Sequence, residues 1–292
     1  MEEELKRKIA NYADVSVENI VVSNGSDNLI YMLMDVFIDK GDVVLILRPS
    51  FEVYRVVVTK NGGVVKPLRL KEPHFAIKLN ELMEAAKGTK MLVIINPNNP
   101  TGNLLLTKEE AEELVANYEG IVVVDEAYYE FCGITLSDMV KKYPNIVVLR
   151  TFSKAFALAG LRIGYAIAHR DMIKLLKKVR EPFPLSRLSI VAAVAALNDL
   201  DYVRRVVSLI KSERDRLYAE LESMEGIRPY PSMTNFILFK SSVADLATRL
   251  AERKIYIRDF SVAIGKYYYR VSIGKPEEND LFLKNLREVV KP

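Results

Sequence analysis

Ile146-Val147-Val148-Leu149 runs through Arg150 into Thr151-Phe152-Ser153-Lys154-Ala155-Phe156-Ala157-Leu158-Ala159-Gly160-Leu161-Arg162. The first four residues read as a buried β-strand, being β-branched and apolar without alternation. Lys154 then stands in a stretch of mostly small and apolar side chains, with hydroxyls before it and a glycine and an arginine after it. A lysine held at the end of a buried strand is desolvated, which disfavours the ammonium and frees the amine as a nucleophile. A Schiff-base lysine has that requirement. The alternative is a loop lysine whose head snorkels to the surface, and most lysines do this.

Working outward, short apolar runs alternate with helical patterns. Ile20-Val21-Val22, Val43-Val44-Leu45-Ile46-Leu47, the run beginning Val64-Val65, Met91-Leu92-Val93-Ile94-Ile95, Ile121-Val122-Val123-Val124 and Arg162 to Ala168 read as further strands. Asn28 to Phe37 and Phe51 to Val58 have helical apolar spacing, and Thr107 with Glu110 forms a capping-box pattern. This alternation predicts an α/β fold, a mostly parallel sheet with helices on both faces. Beyond residue 200 the order changes. A long charged helix from Asp201 to Met224 precedes a strand at Asn235-Phe236-Ile237-Leu238-Phe239. A helix near Ala244 to Arg253, strands at Lys254-Ile255-Tyr256-Ile257 and Tyr268 to Ile273, and a helix from Pro276 follow. We expect a large domain over 1–205 and a smaller C-terminal α+β domain over 206–292, divided within the long helix.

The composition narrows the function. A net charge of +4, with acids and bases interspersed, gives no basic stripe for nucleic acid. No apolar run approaches the roughly 18 residues expected of a membrane span, and the charged opening Met1-Glu2-Glu3-Glu4 is unlike a signal peptide. The reading is therefore a soluble cytoplasmic protein without membrane or nucleic-acid partners. The single cysteine, Cys132, excludes an internal disulfide, and no metal-site spacing is present. The absence of tryptophan and glutamine beside abundant Lys, Arg and Glu fits a thermophile source.

In a doubly wound sheet, ligands bind beyond the carboxyl ends of the strands, and the polar outliers fall there. Asn24-Gly25-Ser26-Asp27 follows the first strand and offers backbone N–H groups and a hydroxyl to a phosphate, or is an ordinary turn and cap. Asn96-Pro97-Asn98-Asn99-Pro100-Thr101-Gly102 is a stiff turn after the Met91 strand, with its asparagines either at a site or capping the turn. Asp125, directly after four β-branched residues, is partly buried and needs a partner, or is a helix N-cap.

Taken together, Asn99-Pro100-Thr101-Gly102, Asp125-Glu126-Ala127-Tyr128, Ser153-Lys154 and the Gly25-Ser26 turn resemble the fold-type I pyridoxal-phosphate enzymes, the aspartate aminotransferase superfamily. Within it the chain is similar to the histidinol-phosphate aminotransferase family. Val21 to Asp27, Asp125 to Phe131, Arg150 to Phe156, Arg162-Ile163-Gly164-Tyr165, Ile257-Arg258-Asp259-Phe260 and Arg270-Val271-Ser272-Ile273-Gly274 carry that likeness. It implies the three-layer fold of those transferases, pyridoxal 5'-phosphate as cofactor, and a homodimer with shared active sites. It also implies the roles of individual residues. Lys154 holds the cofactor and shuttles the proton, Asp125 pairs with the pyridine nitrogen, and Asn99 and Tyr128 bond the phenolic oxygen. Phe51 stacks on the ring, where that family often has tyrosine. Gly25, Ser26, Asp27, Thr151, Ser153 and Arg162 cradle the phosphate. Arg258 and Arg270, with Asn99, receive substrates. The implied reaction takes L-histidinol phosphate and 2-oxoglutarate to imidazole-acetol phosphate and glutamate.

The same resemblance places Met1 to Ala10 at an internal helix of that family. It implies an upstream segment with an Asn-Glu-Asn-Pro motif and a tyrosine that reaches the partner subunit's cofactor phosphate. Without that segment the expectation is weak cofactor retention and poor turnover. Pro182-Phe183-Pro184-Leu185-Ser186 departs from the family's Asn-Val after Pro-Phe, and Pro184 removes a backbone donor. Other functions compatible with these residues are an aromatic or aspartate aminotransferase, a threonine-phosphate decarboxylase and a non-catalytic cofactor-binding protein.

Overall fold

The computed structural model describes residues 1–290, so the last two residues of the 206–292 span lie outside the described part. Strands β1 (Ile20–Asn24), β2 (Val43–Arg48), β3 (Val64–Arg69), β4 (Met91–Ile95), β5 (Ile121–Asp125), β6 (Ile146–Thr151) and β7 (Ile163–Ala168) form one sheet, ordered β1-β7-β6-β5-β4-β2-β3. Only β7 runs antiparallel to its neighbours; the β3-β2-β4-β5-β6 block is parallel throughout. Helices α1 (Glu2–Ala13), α2 (Gly25–Phe37), α3 (Val53–Lys60), α4 (Leu79–Ala86), α5 (Lys108–Asn117), α6 (Tyr129–Cys132), α7 (Arg170–Val179) and α8 (Arg187–Asn198) connect and flank these strands.

Alternate strand residues face two separate cores, as the two-residue repeat of a strand dictates. Val44, Ile46, Val93, Val123, Val147 and Leu149 pack with Leu33 of α2, Val57 of α3 and Ile173 of α7. Leu45, Leu92, Ile94, Val122, Val124 and Val148 pack on the other face with Ile9 of α1, Leu114 of α5 and Ala193 of α8. Both faces are therefore covered, which is why β4, β5 and β6 read as uninterrupted apolar runs.

Helix α9 (Leu200–Glu222) leaves this body for a second sheet of β8 (Ile227–Pro229), β9 (Phe236–Ser241), β10 (Arg258–Asp259) and β11 (Tyr268–Ser272), antiparallel in the order β10-β11-β9-β8. Helices α10 (Leu246–Ala251) and α11 (Pro276–Val290) pack on it. Val203 of α9 belongs to the large core, Leu217 and Leu221 to the small one, and Ile210 touches both.

Lys254–Ile257 is not a strand. Lys254 has φ 63°, and the Ile255 amide donates to Leu250 O at 3.0 Å. These residues terminate α10, so their backbone groups are committed to a helix C-terminus instead of a ladder. The pairing strand begins only at Arg258. Arg162 likewise falls outside β7, in the left-handed conformation at φ 49°.

Gly164 fixes how α2 meets the sheet. A Cβ there would overlap Ser26 N and Gly25 C, so the first turn of α2 lies directly on the β7 backbone, where Gly164 also pairs with Ser23. Replacing Gly164 by alanine should destabilise the fold by about 1–3 kcal/mol, the usual cost of overpacking. Urea unfolding would register this as a lower midpoint with an unchanged slope.

Candidate active site

The carboxyl ends of the parallel strands open onto one cavity of about 170 Å3. Strand register decides what lines it. Ile95, Asp125 and Leu149 stand side by side across β4, β5 and β6, so the loops after these strands meet at the same edge. They deliver Asn99, Asp125 with Tyr128, and Thr151, Ser153 and Lys154; Ser26 and Asp27 come from the start of α2, and Phe51 and Arg162 from two further loops. Three of the expected residues do not line it. Gly25 is buried against the Arg162 guanidinium, Arg270 bonds Asn99 from the small sheet, and Arg258 is exposed on β10 directly opposite Arg270.

Asp125 is 4% exposed. Its Oδ2 accepts the Tyr54 hydroxyl at 2.9 Å, and its Oδ1 accepts the Ala127 amide at 3.0 Å. The acid makes no ion pair among the described residues. Burial raises its pKa to about 6; the bonds from Tyr54 and Ala127 oppose the rise, Asp27 adds to it, and Lys154 opposes it. Lys154 is half-buried, and its Nζ makes no hydrogen bond or ion pair among the described residues. Its Nζ lies 5.6 Å from the centre of the Tyr128 ring. Its pKa is lowered, first by burial and then by the charge of Arg270. Tyr128 is buried, and burial pushes its phenol to about 12.

Across the cavity, Arg162 Nη2 reaches Asp27 Oδ2 at 3.0 Å. A Cβ added at Gly25 would fall 2.7 Å from that same Nη2, and Gly25 has φ +78°. The glycine therefore leaves the space that the guanidinium fills. Thr151 Oγ1 donates to Ser153 Oγ at 2.9 Å and accepts the Ser153 amide at 3.1 Å, which sets both hydroxyls at the mouth of β6. Arg270, on β11 of the small sheet, donates from Nη1 to Asn99 Oδ1 at 2.6 Å and packs over the rings of Phe236 and Phe260. Its Nε is buried and has no hydrogen-bond partner among the described residues.

The donor set fits pyridoxal 5'-phosphate on three counts. A desolvated carboxylate without an ion-pair partner among the described residues suits a protonated ring nitrogen, and a desolvated primary amine suits a carbonyl carbon. The guanidinium and hydroxyls around the Ser26 turn suit a phosphate dianion. Sequence reasoning missed Tyr54 and Gly164. Tyr54 gave no signal, because it belongs to the apolar stripe of α3 with Val57 and Val58. Gly164 did give one, since a glycine inside a strand marks a close backbone approach.

Fold and site define a class of protein, and comparison with known proteins agrees with it. The family described as aminotransferase class I and II matches residues 1–286, and this chain belongs to that family. The chain is 41% identical to the histidinol-phosphate aminotransferase of Thermoanaerobacter pseudethanolicus over 295 residues, covering 99% of this chain and 82% of that one. Among solved structures, it is similar to the histidinol-phosphate aminotransferase from Sinorhizobium meliloti in complex with pyridoxal-5'-phosphate. The two share 27% identity with a TM-score of 0.91, over 99% of this chain and 82% of that one. The L-threonine-O-3-phosphate decarboxylase from Porphyromonas gingivalis is also similar, at 26% identity and TM-score 0.85, over 97% and 87% of the two chains.

The raised pKa of Asp125 has a stability consequence in the cofactor-free protein. Between its unfolded value of 3.8 and about 6 the native state binds the extra proton. This carboxylate therefore favours the native state least above pH 6, and its penalty disappears as pH falls below 4. Asp125→Asn should raise stability at pH 7.5 by on the order of 2–3 kcal/mol, and the gain should vanish near pH 4. Thermal unfolding of the two cofactor-free proteins across that range measures the difference.

Proposed function

We propose that this aminotransferase moves the amino group of L-histidinol phosphate to 2-oxoglutarate, giving imidazole-acetol phosphate and glutamate in histidine biosynthesis. Its cofactor is pyridoxal 5'-phosphate. The observation that carries the reading is the meeting of Lys154, whose Nζ has no hydrogen-bond partner among the described residues and whose pKa burial lowers, with the buried Asp125 in one cavity. Likeness to histidinol-phosphate aminotransferases over nearly the whole chain supports the substrate.

Each residue then has a task. The Lys154 amine holds the cofactor's carbonyl carbon. The same Nζ would take the proton from the substrate's amino-bearing carbon and later return one. Bound pyridoxal phosphate supplies the electron sink for that deprotonation. Asp125 would accept a hydrogen bond from the ring nitrogen and keep its proton in place. Tyr128 and the Asn99 amide donate to the phenolic oxygen; Arg270 already occupies Asn99 Oδ1, which leaves the amide nitrogen for this contact. Phe51 covers one ring face. Arg162, Ser26, Thr151 and Ser153 hold the phosphate, with the Asp27 backbone.

Arg270 and Arg258 meet the anionic ends of the substrates. The donor brings a phosphate and no α-carboxylate, whereas glutamate brings two carboxylates, and planar guanidinium groups bind both kinds of anion. The chain works as a homodimer in this reading. Phe183 is 92% exposed and Leu188 78% exposed, apolar surface of the kind a second subunit covers.

Purified protein supplied with pyridoxal phosphate, histidinol phosphate and 2-oxoglutarate should form imidazole-acetol phosphate and glutamate, read by mass spectrometry. Lys154→Ala should cut the rate roughly 100- to 10,000-fold. Faster turnover of aspartate or an aromatic amino acid would overturn the substrate assignment. Release of CO2 from threonine phosphate without any oxo acid would point to the decarboxylase instead.

A further inference from the structure

Tyr54 and Phe51 lie three residues apart at the entry to α3, yet they meet different surroundings. Phe51 lines the cavity, whereas Tyr54 is 0% exposed and lies behind it. The Tyr54 ring packs in the core on one face of the sheet with Val57 and Val58, and among the described residues its hydroxyl has one partner, Asp125 Oδ2. We propose that Tyr54 is a positioning residue, which holds Asp125 ionised and fixes the direction in which its carboxylate faces the cavity. The inference deepens the assignment of Asp125 above and rests on it.

Three observations carry the argument. First, the two oxygens of Asp125 are held from different elements: Oδ1 by the Ala127 amide in its own loop and Oδ2 by a side chain from α3. Rotation of the carboxylate about its Cβ–Cγ bond would break both bonds. Second, the group that could best hold an anion here is a donor with no charge of its own. A lysine or arginine in its place would form an ion pair and compete with a protonated ring nitrogen for the same carboxylate. A phenol donates one hydrogen bond and leaves the charge uncompensated. Third, burial raises the Tyr54 phenol well above its ordinary range, with the negative charge of Asp125 next. It therefore keeps its proton and stays a donor throughout the working pH range. The other ionisable groups acting on Asp125 are Asp27 from α2 and Lys154 from the loop after β6, which push in opposite directions. Tyr128 lines the same cavity and is also coupled to Asp125.

A graded series at one atom tests this. Tyr54→Phe removes the donor and keeps the ring. Substituting 3-fluorotyrosine at position 54 keeps the shape and makes the phenol a stronger donor. The Asp125 carboxyl is followed by carbon-13 NMR in the cofactor-free protein, where the result does not depend on what the enzyme does. Its titration should move upward by roughly one to two pH units in Tyr54→Phe, the size expected for losing a hydrogen bond to a charged acceptor. It should move downward in the fluorotyrosine protein. Affinity for pyridoxal phosphate, measured by equilibrium dialysis at pH 8, should fall about tenfold in Tyr54→Phe and not in the fluorotyrosine protein.

An Asp125 titration that is the same in all three proteins would overturn the inference. So would a shifted titration with equal cofactor affinity, which would leave Tyr54 a structural residue. If Tyr54→Phe does not fold, the fluorotyrosine protein decides by the direction of its shift. Failure of the unaltered protein to bind pyridoxal phosphate would count against the proposed function, and the titration would still decide the role of Tyr54.

Discussion

Register between β4, β5 and β6 sets the geometry on which the site depends. Ile95, Asp125 and Leu149 are direct neighbours, so three loops leave the sheet at one level. The main-chain bonds continue past the strands: Asn96 N donates to Asp125 O, and Glu126 N donates to Leu149 O. A slip of one residue would turn Asp125 to the opposite face and exchange every core residue of that strand. The two cores hold the register, because each needs its own alternate set of Val, Ile and Leu. The buried pair of Arg150 and Glu126, at 3.0 Å, ties the same two strand ends just behind Asp125. Removing one partner would leave a buried charge uncompensated, which disfavours any drift of β6 against β5.

The site works against the stability of the fold that presents it. Among the described residues, Asp125 is buried without a counter-ion, and the Nζ of half-buried Lys154 has no hydrogen-bond partner. Both pKa values move toward the neutral form because the surroundings solvate charge poorly. A protein built only to be stable would pair these groups with each other or replace them with apolar side chains. Their separation keeps each available to a third party, which would supply a proton donor to one and a carbonyl to the other. Binding of such a group would return stability to the fold by mass action.

Much of this was legible in the sequence, for physical reasons that differ between elements. Strands β4, β5 and β6 are buried on both faces, so their composition alone identified them, and the polar residues that end them stood out by contrast. The capping box at Thr107 could be read because both reciprocal bonds depend only on local spacing; the structure contains both. Helix α8 was not read. Its alanines and valines, such as Ala192, Ala193, Val194, Ala195 and Ala196, give little contrast between faces. Helix α7 offered Met172, Ile173 and Leu176 at helical spacing and could have been found. Lys254–Ile257 misled because β-branched and aromatic residues suggest a strand, while the end of α10 claimed their backbone. Tyr54 lay beyond sequence reasoning, since its spacing describes a core residue and only the fold brings its hydroxyl to Asp125.

The small sheet completes the arrangement from the other side. Arg270 on β11 bonds Asn99, and Met233 N donates to Gly102 O at 2.7 Å, so two contacts from the C-terminal part reach the loop after β4. Phe75 packs against Tyr230 and Tyr268, which share a hydroxyl contact at 3.2 Å, and this gives a third contact at a distance from the cavity. Asn99 thus has two obligations at once. Its carbonyl oxygen accepts from Arg270 of the small sheet, while the residue lines the cavity of the large one. An anion arriving at Arg270 would compete for the Nη1 that now holds Asn99. Any change in that bond acts on a side chain within the loop that also carries Asn98, whose Nδ2 donates to Pro49 O at 3.0 Å, two residues before Phe51. Hydrogen bonds thus run from Arg270 to the loop after β4 and from that loop to the one carrying Phe51, so the small sheet and two loops at the cavity form one bonded chain.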